Sequence, residues 1–229
     1  MDLNKFINTE NDAKQALIGT ILCDGSLGKQ RTDGSRNGTN ADLEITHTSK
    51  NLDYLKLKKD LLSIVGINSK ISEHNKRTSE KTYSLYRLTT CRDKWLTELR
   101  NKLYDNSRHK LLPSDIVDNL TDLALFMMYL DDGTLRVRCY EGTSKIRECR
   151  ATFCTDRFTL KEVLYFKDFP HKRYNIDTKY YRHSKNMPLD RGFRLWMNTE
   201  NTTKLMAIFD KYYDLVPSMQ YKFVKYYSL

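Results

Sequence analysis

Leu17-Ile18-Gly19-Thr20-Ile21-Leu22-Cys23-Asp24-Gly25 and Leu125-Phe126-Met127-Met128-Tyr129-Leu130-Asp131-Asp132-Gly133 decide how this chain folds. Each is an apolar run closed by an Asp-Gly step, and Asp24 and Asp132 stand 108 residues apart (132 − 24). A glycine after a helical run is the usual left-handed C-terminal stop, so both acids are expected in the last turn of a helix. There the partial negative charge of the helix end disfavours a further anion by a few tenths to about 1 kcal/mol. Two such sites side by side call for cations, and a divalent metal with its waters suits paired carboxylates. Taken singly, either Asp-Gly step is an ordinary turn dipeptide.

Working outward, the similarity spreads over most of the chain. Glu44-Ile45-Thr46-His47-Thr48-Ser49-Lys50-Asn51-Leu52 parallels Thr152-Phe153-Cys154-Thr155-Asp156-Arg157-Phe158-Thr159-Leu160, Arg87 parallels Arg194, and Leu103-Tyr104-Asp105 parallels Tyr212-Tyr213-Asp214. Matches at nearly constant spacing indicate a duplication. Each half then reads as helix, two strands, helix, two strands, helix. The expected units are residues 1–105 and 121–229, joined by a bridge over 106–120 that contains Pro113.

In the first half, Thr9 with Asp12 signals a capping box opening a helix to Asp24. Strands are expected near 27–30 and 42–48, a helix stopped by Gly66, strands near 68–77 and 82–90, and a helix over 93–104. In the second half the same order predicts helix 121–132, strands near 134–140 and 147–155, helix 159–168, strands near 173–183 and 190–198, and helix 200–213.

Lys and Arg exceed Asp and Glu, 39 against 29, for a formal net charge of +10. The excess is spread along the chain, as for a broad basic face that attracts a polyanion, nucleic acid first. No stretch reaches the roughly 18 apolar residues of a membrane span, and the N-terminus resembles neither a secretory signal nor a transit peptide. The five cysteines form no CxxC pair and read as buried apolar residues in a reducing compartment. No further compartment is assigned, although abundant Lys, Asn and Tyr fit the AT-rich genome of an organelle, a phage or a bacterium.

Strand parity separates an apolar sheet face from a polar one. Arg136, Arg138 and Tyr140 alternate with Val137 and Cys139; Glu148, Arg150 and Thr152 alternate with Cys149, Ala151 and Phe153; Lys70, Ser72, His74 and Lys76 share a parity. A two-stranded ribbon carrying such side chains fits the DNA major groove. The candidate DNA-contacting set adds Lys29, Arg31, Arg36, Glu44, Thr46 and Arg87 in the first half, and Lys179, Arg182, Lys185 and Arg194 in the second.

These residues resemble the LAGLIDADG homing endonucleases, in the form with two motifs on one chain, over nearly all of its length. The resemblance implies an α+β fold of two pseudo-symmetric αββαββα halves with saddle-shaped antiparallel sheets, the two motif helices packed together at the centre. It places the metal-binding acids at Asp24 and Asp132, with main-chain oxygens near the motif ends, at Cys23 and Asp131, as further ligands. It makes Lys110, before Pro113, and Lys222, after Pro217, candidates for stabilising charge at the phosphate or shifting the pKa of the attacking water. The family favours small residues at the third and seventh motif positions; Gly19 and Cys23 comply, Met127 and Asp131 do not, so close packing is expected to rest on the first helix.

The implied activity is hydrolysis of one phosphodiester on each strand of an asymmetric duplex target of roughly 20 base pairs. The implied products carry short 3′ extensions. The implied cofactor is Mg²⁺, two or more ions shared between the motifs, and the partner is double-stranded DNA bound by a monomer. An RNA-splicing maturase acting on intron RNA and a non-catalytic DNA-binding regulator are the alternatives on the same scaffold.

Overall fold

The computed structural model describes residues 3–28, 40–77, 82–143, 145–184 and 186–227. Seven α-helices and eight strands are described: α1 (Glu10–Leu22), β1 (Ser26–Leu27), β2 (Leu43–Thr48), α2 (Leu52–Ile64), β3 (Ser69–Arg77), β4 (Thr82–Thr90), α3 (Lys94–Leu103), α4 (Ser114–Asp118), α5 (Asp122–Asp132), β5 (Gly133–Cys139), β6 (Ile146–Phe153), α6 (Leu160–Tyr174), β7 (Lys179–Arg182), β8 (Phe193–Trp196) and α7 (Thr199–Phe209). The two antiparallel sheets have the same order, β1-β2-β4-β3 and β5-β6-β8-β7. The expected duplication is present in topology, and α4 lies in the bridge.

Local chemistry starts the helices where the sequence signals them. The Thr9 side chain accepts from the Asp12 amide at 3.1 Å while Asp12 accepts from the Thr9 amide at 3.0 Å. Thr159 and Glu162 repeat that capping box on α6, and Thr121 caps α5. Helix α5 is buried from Leu123 to Leu130 on every side, as a helix apolar all round must be. It packs against α1 at Gly19, where an added Cβ would stand 2.2 Å from the Ala124 carbonyl oxygen. Close approach of the two backbones therefore rests on the first helix, as its glycine led us to expect.

Two expectations need correction. Neither Asp-Gly glycine is left-handed: Gly133 is extended (φ −87°, ψ 153°), and Gly25 is not among the positive-φ residues. Crowding explains the glycines instead, since a Cβ on Gly133 would lie 2.3 Å from the Tyr129 carbonyl and one on Gly25 would lie 2.9 Å from Ile21 Cα. The chain passes directly from Asp132 into β5, whose first residue pairs with Phe153.

The second correction concerns α6, which runs to Tyr174 through Pro170 instead of stopping at 168. It ends at left-handed Asn175 (φ 53°), with the Ile176 amide donating to Pro170 O. Strands β7 and β8 are correspondingly shorter than the expected 173–183 and 190–198. After α7, which ends at Phe209, the chain continues in 3-10 turns over 210–215, 217–222 and 224–227. Phe209, Tyr212 and Phe223 close around Phe126 of α5, with ring centroids 4.9–6.0 Å away, and this seats Lys222.

Candidate active site

The motif acids sit at the neighbouring ends of α1 and α5. Asp24 follows the last turn of α1 and is about one-third exposed, whereas Asp132 is the last residue of α5 and partly buried. Burial, then the charge of Asp24, raises the Asp132 carboxyl above its ordinary range, against Arg157, the Cys23 thiol and Lys110. A carboxyl disfavoured by a neighbouring negative charge is eased by a cation beside it.

Each acid lines its own cavity. That at Asp24, about 290 Å³, includes Ser26, Lys110, Arg157 and Arg191; that at Asp132, about 320 Å³, includes Thr134, Cys154 and Lys222. Ser26 and Thr134 are related by the same 108-residue shift.

The expected lysines occupy matching places. Lys110 Nζ donates to Cys23 O (2.7 Å) and Gly25 O (2.8 Å); Lys222 Nζ donates to Leu130 O (2.5 Å) and more distantly to Asp131 O (3.4 Å). Each ammonium thus binds the free carbonyls of a motif-helix end, the partners that end lacks. Burial lowers Lys110 to about 8, with the Arg157 charge adding to the effect, and burial lowers Lys222.

At the other two expected ligand positions, Cys23 and Asp131, the side chains are buried. The Cys23 thiol is buried and donates to Met128 O at 3.6 Å, its pKa raised by that burial, while its carbonyl accepts from Lys110 and from Arg157 (3.2 Å). The Asp131 side chain is wholly buried and lies 2.6 Å from Lys58 Nζ.

Three residues around the acids were not anticipated. His47 projects from the buried parity of β2, its Nε2 3.9 Å from Asp24 Oδ2 and 2.9 Å from Lys58 Nζ. Burial and the Lys58 charge hold its imidazole neutral, lowering its pKa to about 3. Lys58 is fully buried on α2, and Arg157 reaches the end of α1 from the second half. The signals were present: His47 is an ionisable residue at a core parity, and Lys58 interrupts the stripe Leu55, Leu57, Leu61, Leu62.

Register fixes the proposed DNA face. Thr46 and Ser72 both pair with Arg87, Glu44 and Lys70 both pair with Thr89, and His74 pairs with Leu85, so Glu44, Thr46, Lys70, Ser72, His74 and Arg87 share a face. Lys76 has the same register, pairing with Tyr83. In the second sheet Arg136 pairs with Arg150, Arg138 with Glu148, and Thr152 with Trp196, which also pairs with Lys179. Arg194 shares that parity and bonds Asp156 at 2.6 Å, and Arg150 lies 4.3 Å over the Trp196 ring. Tyr140, half exposed, follows β5 at the hairpin turn.

Arg182 departs from the set. It pairs with buried Phe193, on the opposite parity, and its guanidinium holds Met187 O and Pro188 O. Its three-residue offset from Lys179 puts the two on opposite faces of one strand. Lys29, Arg31, Arg36 and Lys185 lie outside the described residues.

With paired helices, paired acids and duplicated sheets in place, comparison with known proteins decides the family. The LAGLIDADG DNA endonuclease family profile matches residues 14–205. The chain belongs to the LAGLIDADG DNA endonuclease family. The fold of this LAGLIDADG protein is similar to that of the homing endonuclease I-WcaI, solved bound to its DNA recognition sequence, with TM-score 0.76 and 18% identity over 97% of this chain and 91% of that one. The LAGLIDADG meganuclease I-AabMI, solved with uncleaved DNA, gives TM-score 0.50 and 15% identity, over 86% and 83% of the two chains.

Sequence relatives include the RecA proteins of Mycolicibacterium flavescens, 25% identical over 210 residues (91% of this chain, 45% of that protein), and Mycobacterium leprae, 25% over 214 residues (91% and 27%). The chain spans less than half the length of these curated relatives, and at this identity RecA activity is not carried to it. The matching family model is that of DNA endonucleases, and the likeness to I-WcaI shows the fold. Among the described residues no helix is long and apolar enough to cross a membrane.

Proposed function

We propose that this endonuclease acts as a monomer on a long, asymmetric DNA duplex and hydrolyses one phosphodiester on each strand at the junction of α1 and α5. The two halves, 1–105 and 121–229 about a bridge at 106–120, each lay one sheet along the duplex. The observation that carries this reading is the pairing of Asp24 and Asp132 at adjacent helix ends, each with its own cavity and its own lysine.

The mutual repulsion of these acids fits a divalent cation such as Mg²⁺, which Asp24 and Asp132 would hold. When bound, such an ion supplies an activated water and neutralises charge on the phosphate and leaving oxygen. Lys110 and Lys222 fix the last carbonyls of each motif helix and present positive charge beside each acid, where negative charge grows on the phosphate in the transition state. Arg157 adds positive charge on the Asp24 side. The polar sheet faces fix the duplex through Lys70, Arg87, Arg136, Arg138 and Arg150, combining phosphate positioning with base-edge readout. Closely spaced scissile phosphates face each other across the minor groove, so the products carry short 3′ extensions.

Incubating the protein with Mg²⁺ and a library of duplexes, beside Asp24→Asn and Asp132→Asn, tests the reading. Cleavage by wild type alone is expected. Cleavage that survives both substitutions would overturn the assignment of the acids, and tight binding to a structured intron RNA with no duplex cut would favour a maturase.

A further inference from the structure

The cluster behind Asp24 has the spacing of a cation site. One ligand atom each from Asp24, His47 and Asp131 lie within 4.8 Å of one another. Yet a cation is already there: Lys58 Nζ lies 2.6 Å from Asp131 Oδ1 and 2.9 Å from His47 Nε2, and all of the lysine and the Asp131 side chain are inaccessible to solvent. An ammonium has only donors, so His47 Nε2 must accept from Lys58 and the ring proton must sit on Nδ1. One contact therefore fixes both the tautomer and the position of the ring beside Asp24.

The mirror-related positions show that this layer need not be charged. Under the 108-residue shift Asp131, Lys58 and His47 correspond to Cys23, Phe166 and Thr155. Phe166 is buried among aromatic rings, 5.7 Å from Phe153, and the Thr155 hydroxyl donates to Phe193 O at 2.7 Å. The same space is filled without an ion, so the buried cation on one side calls for a role beyond filling it.

We propose that Lys58 is a built-in cation of the active centre: its ammonium takes the place of a metal ion between Asp131 and His47, positions His47 against Asp24, and confines divalent metal to the Asp24–Asp132 side. The inference rests on the assignment of Asp24 and Asp132 as metal-holding acids, but it can fail independently of that reading. Lys58 is a positioning residue here. Asp131, the extra acid of the second motif, is its counter-ion.

The test uses Mn²⁺ binding by calorimetry, thermal unfolding with and without Mn²⁺, and long-range ¹H–¹⁵N correlation of the His47 ring, none of which needs a DNA target. In wild type the His47 ring is expected as a single Nδ1-protonated tautomer with and without Mn²⁺. Lys58→Met empties the cation position while leaving its three ligands, so this variant should bind Mn²⁺ at an additional site, be stabilised by it about tenfold more strongly than wild type, and show the His47 signals shifted on addition.

Should Lys58→Met fold too poorly to measure, Lys58→Met/Asp131→Asn removes the uncompensated charge. That variant should fold, gain no Mn²⁺ site, and show His47 exchanging between tautomers. Unchanged Mn²⁺ stoichiometry in Lys58→Met, or a single unchanged His47 tautomer in the double variant, would overturn the role of Lys58. Asp24→Asn and Asp132→Asn, each expected to lose the Mn²⁺ binding that wild type shows, test the acids separately.

Discussion

The ends of α1 and α5 agree in the layer that faces the cavities and differ in the layer behind it. In front, each helix ends in Asp-Gly, each acid lines a cavity, and each end binds a lysine through its last carbonyls. Behind, one side carries Asp131, Lys58 and His47, and the other Cys23, Phe166 and Thr155. The difference separates two kinds of constraint. A pair of acids, each with its cavity and lysine, is repeated because the proposed reaction uses both ends alike; the supporting layer must be filled and hydrogen-bonded, which two unlike solutions do, and the charged one takes on the further role proposed for Lys58.

The comparison breaks first if the acids are unequal. Asp24→Asn and Asp132→Asn should each lower cleavage on the order of 10³-fold or more, measured as single-turnover rates on the selected duplex, with little loss of DNA affinity. A large loss from one and a small loss from the other would mean that the two ends do not share one centre. The layer behind should respond in the opposite manner, unequally. Lys58→Met strands Asp131 as an unpaired buried charge and should cost about 3–5 kcal/mol in denaturant unfolding. Phe166→Leu at the mirror position should cost about 1–2 kcal/mol, an ordinary packing defect. Lys58→Met/Asp131→Asn should recover most of the first loss, since both ionised partners are gone.

What was legible in the sequence follows the same division. The motif runs, the Thr9–Asp12 capping box and the strand alternation are local signals, and they place the helices, the sheets and the polar face. Lys110 and Lys222 were reachable only through the Pro-containing segments that resemble the family's, because nothing local shows that a lysine will meet carbonyls 87 or 92 residues away in sequence. The Asp131–Lys58–His47 cluster joins three elements from both halves, so no window of sequence holds it. Gly25 and Gly133 look like left-handed stops but are set by crowding against the last turn of their own helices, at Ile21 and Tyr129. The expected end of α6 at 168 misses the signal that counts, Asn175, which takes the left-handed turn.

The helix crossing sharpens the comparison next. Gly19→Ala drives a methyl toward the Ala124 carbonyl, and since both are backbone-fixed the helices must separate, at about 1–3 kcal/mol. Met127, the position related to Gly19 by the duplication, is buried but flexible, and Met127→Leu should cost less than about 1.5 kcal/mol. Equal costs in thermal unfolding would mean that contact is shared by the two helices and does not rest on the first.

The smallest expected effect is a difference in acid response. Folded His47 stays neutral down to about 3, whereas the unfolded histidine takes up a proton near 6.5. Between those values the unfolded chain binds more protons, so the His47 contribution is complete above about 6.5 and is lost as pH falls toward 3. Its slope is at most about 1.4 kcal/mol per pH unit. Asp131 acts with the opposite sign: burial raises its carboxyl to about 7 against the pull of Lys58, so this contribution grows as pH falls from about 7 toward 3.8. The two oppose each other over a shared window and flatten the wild-type profile. In metal-free unfolding at pH 7.5 and 5.5, His47→Gln should therefore gain stability relative to wild type on acidification, and Asp131→Asn should lose it. Thr155→Ser, at the position equivalent to His47, introduces no titrating group and should track wild type at both pH values. If all three variants run parallel to wild type, the charged layer behind Asp24 is no different in acid from the neutral one that mirrors it.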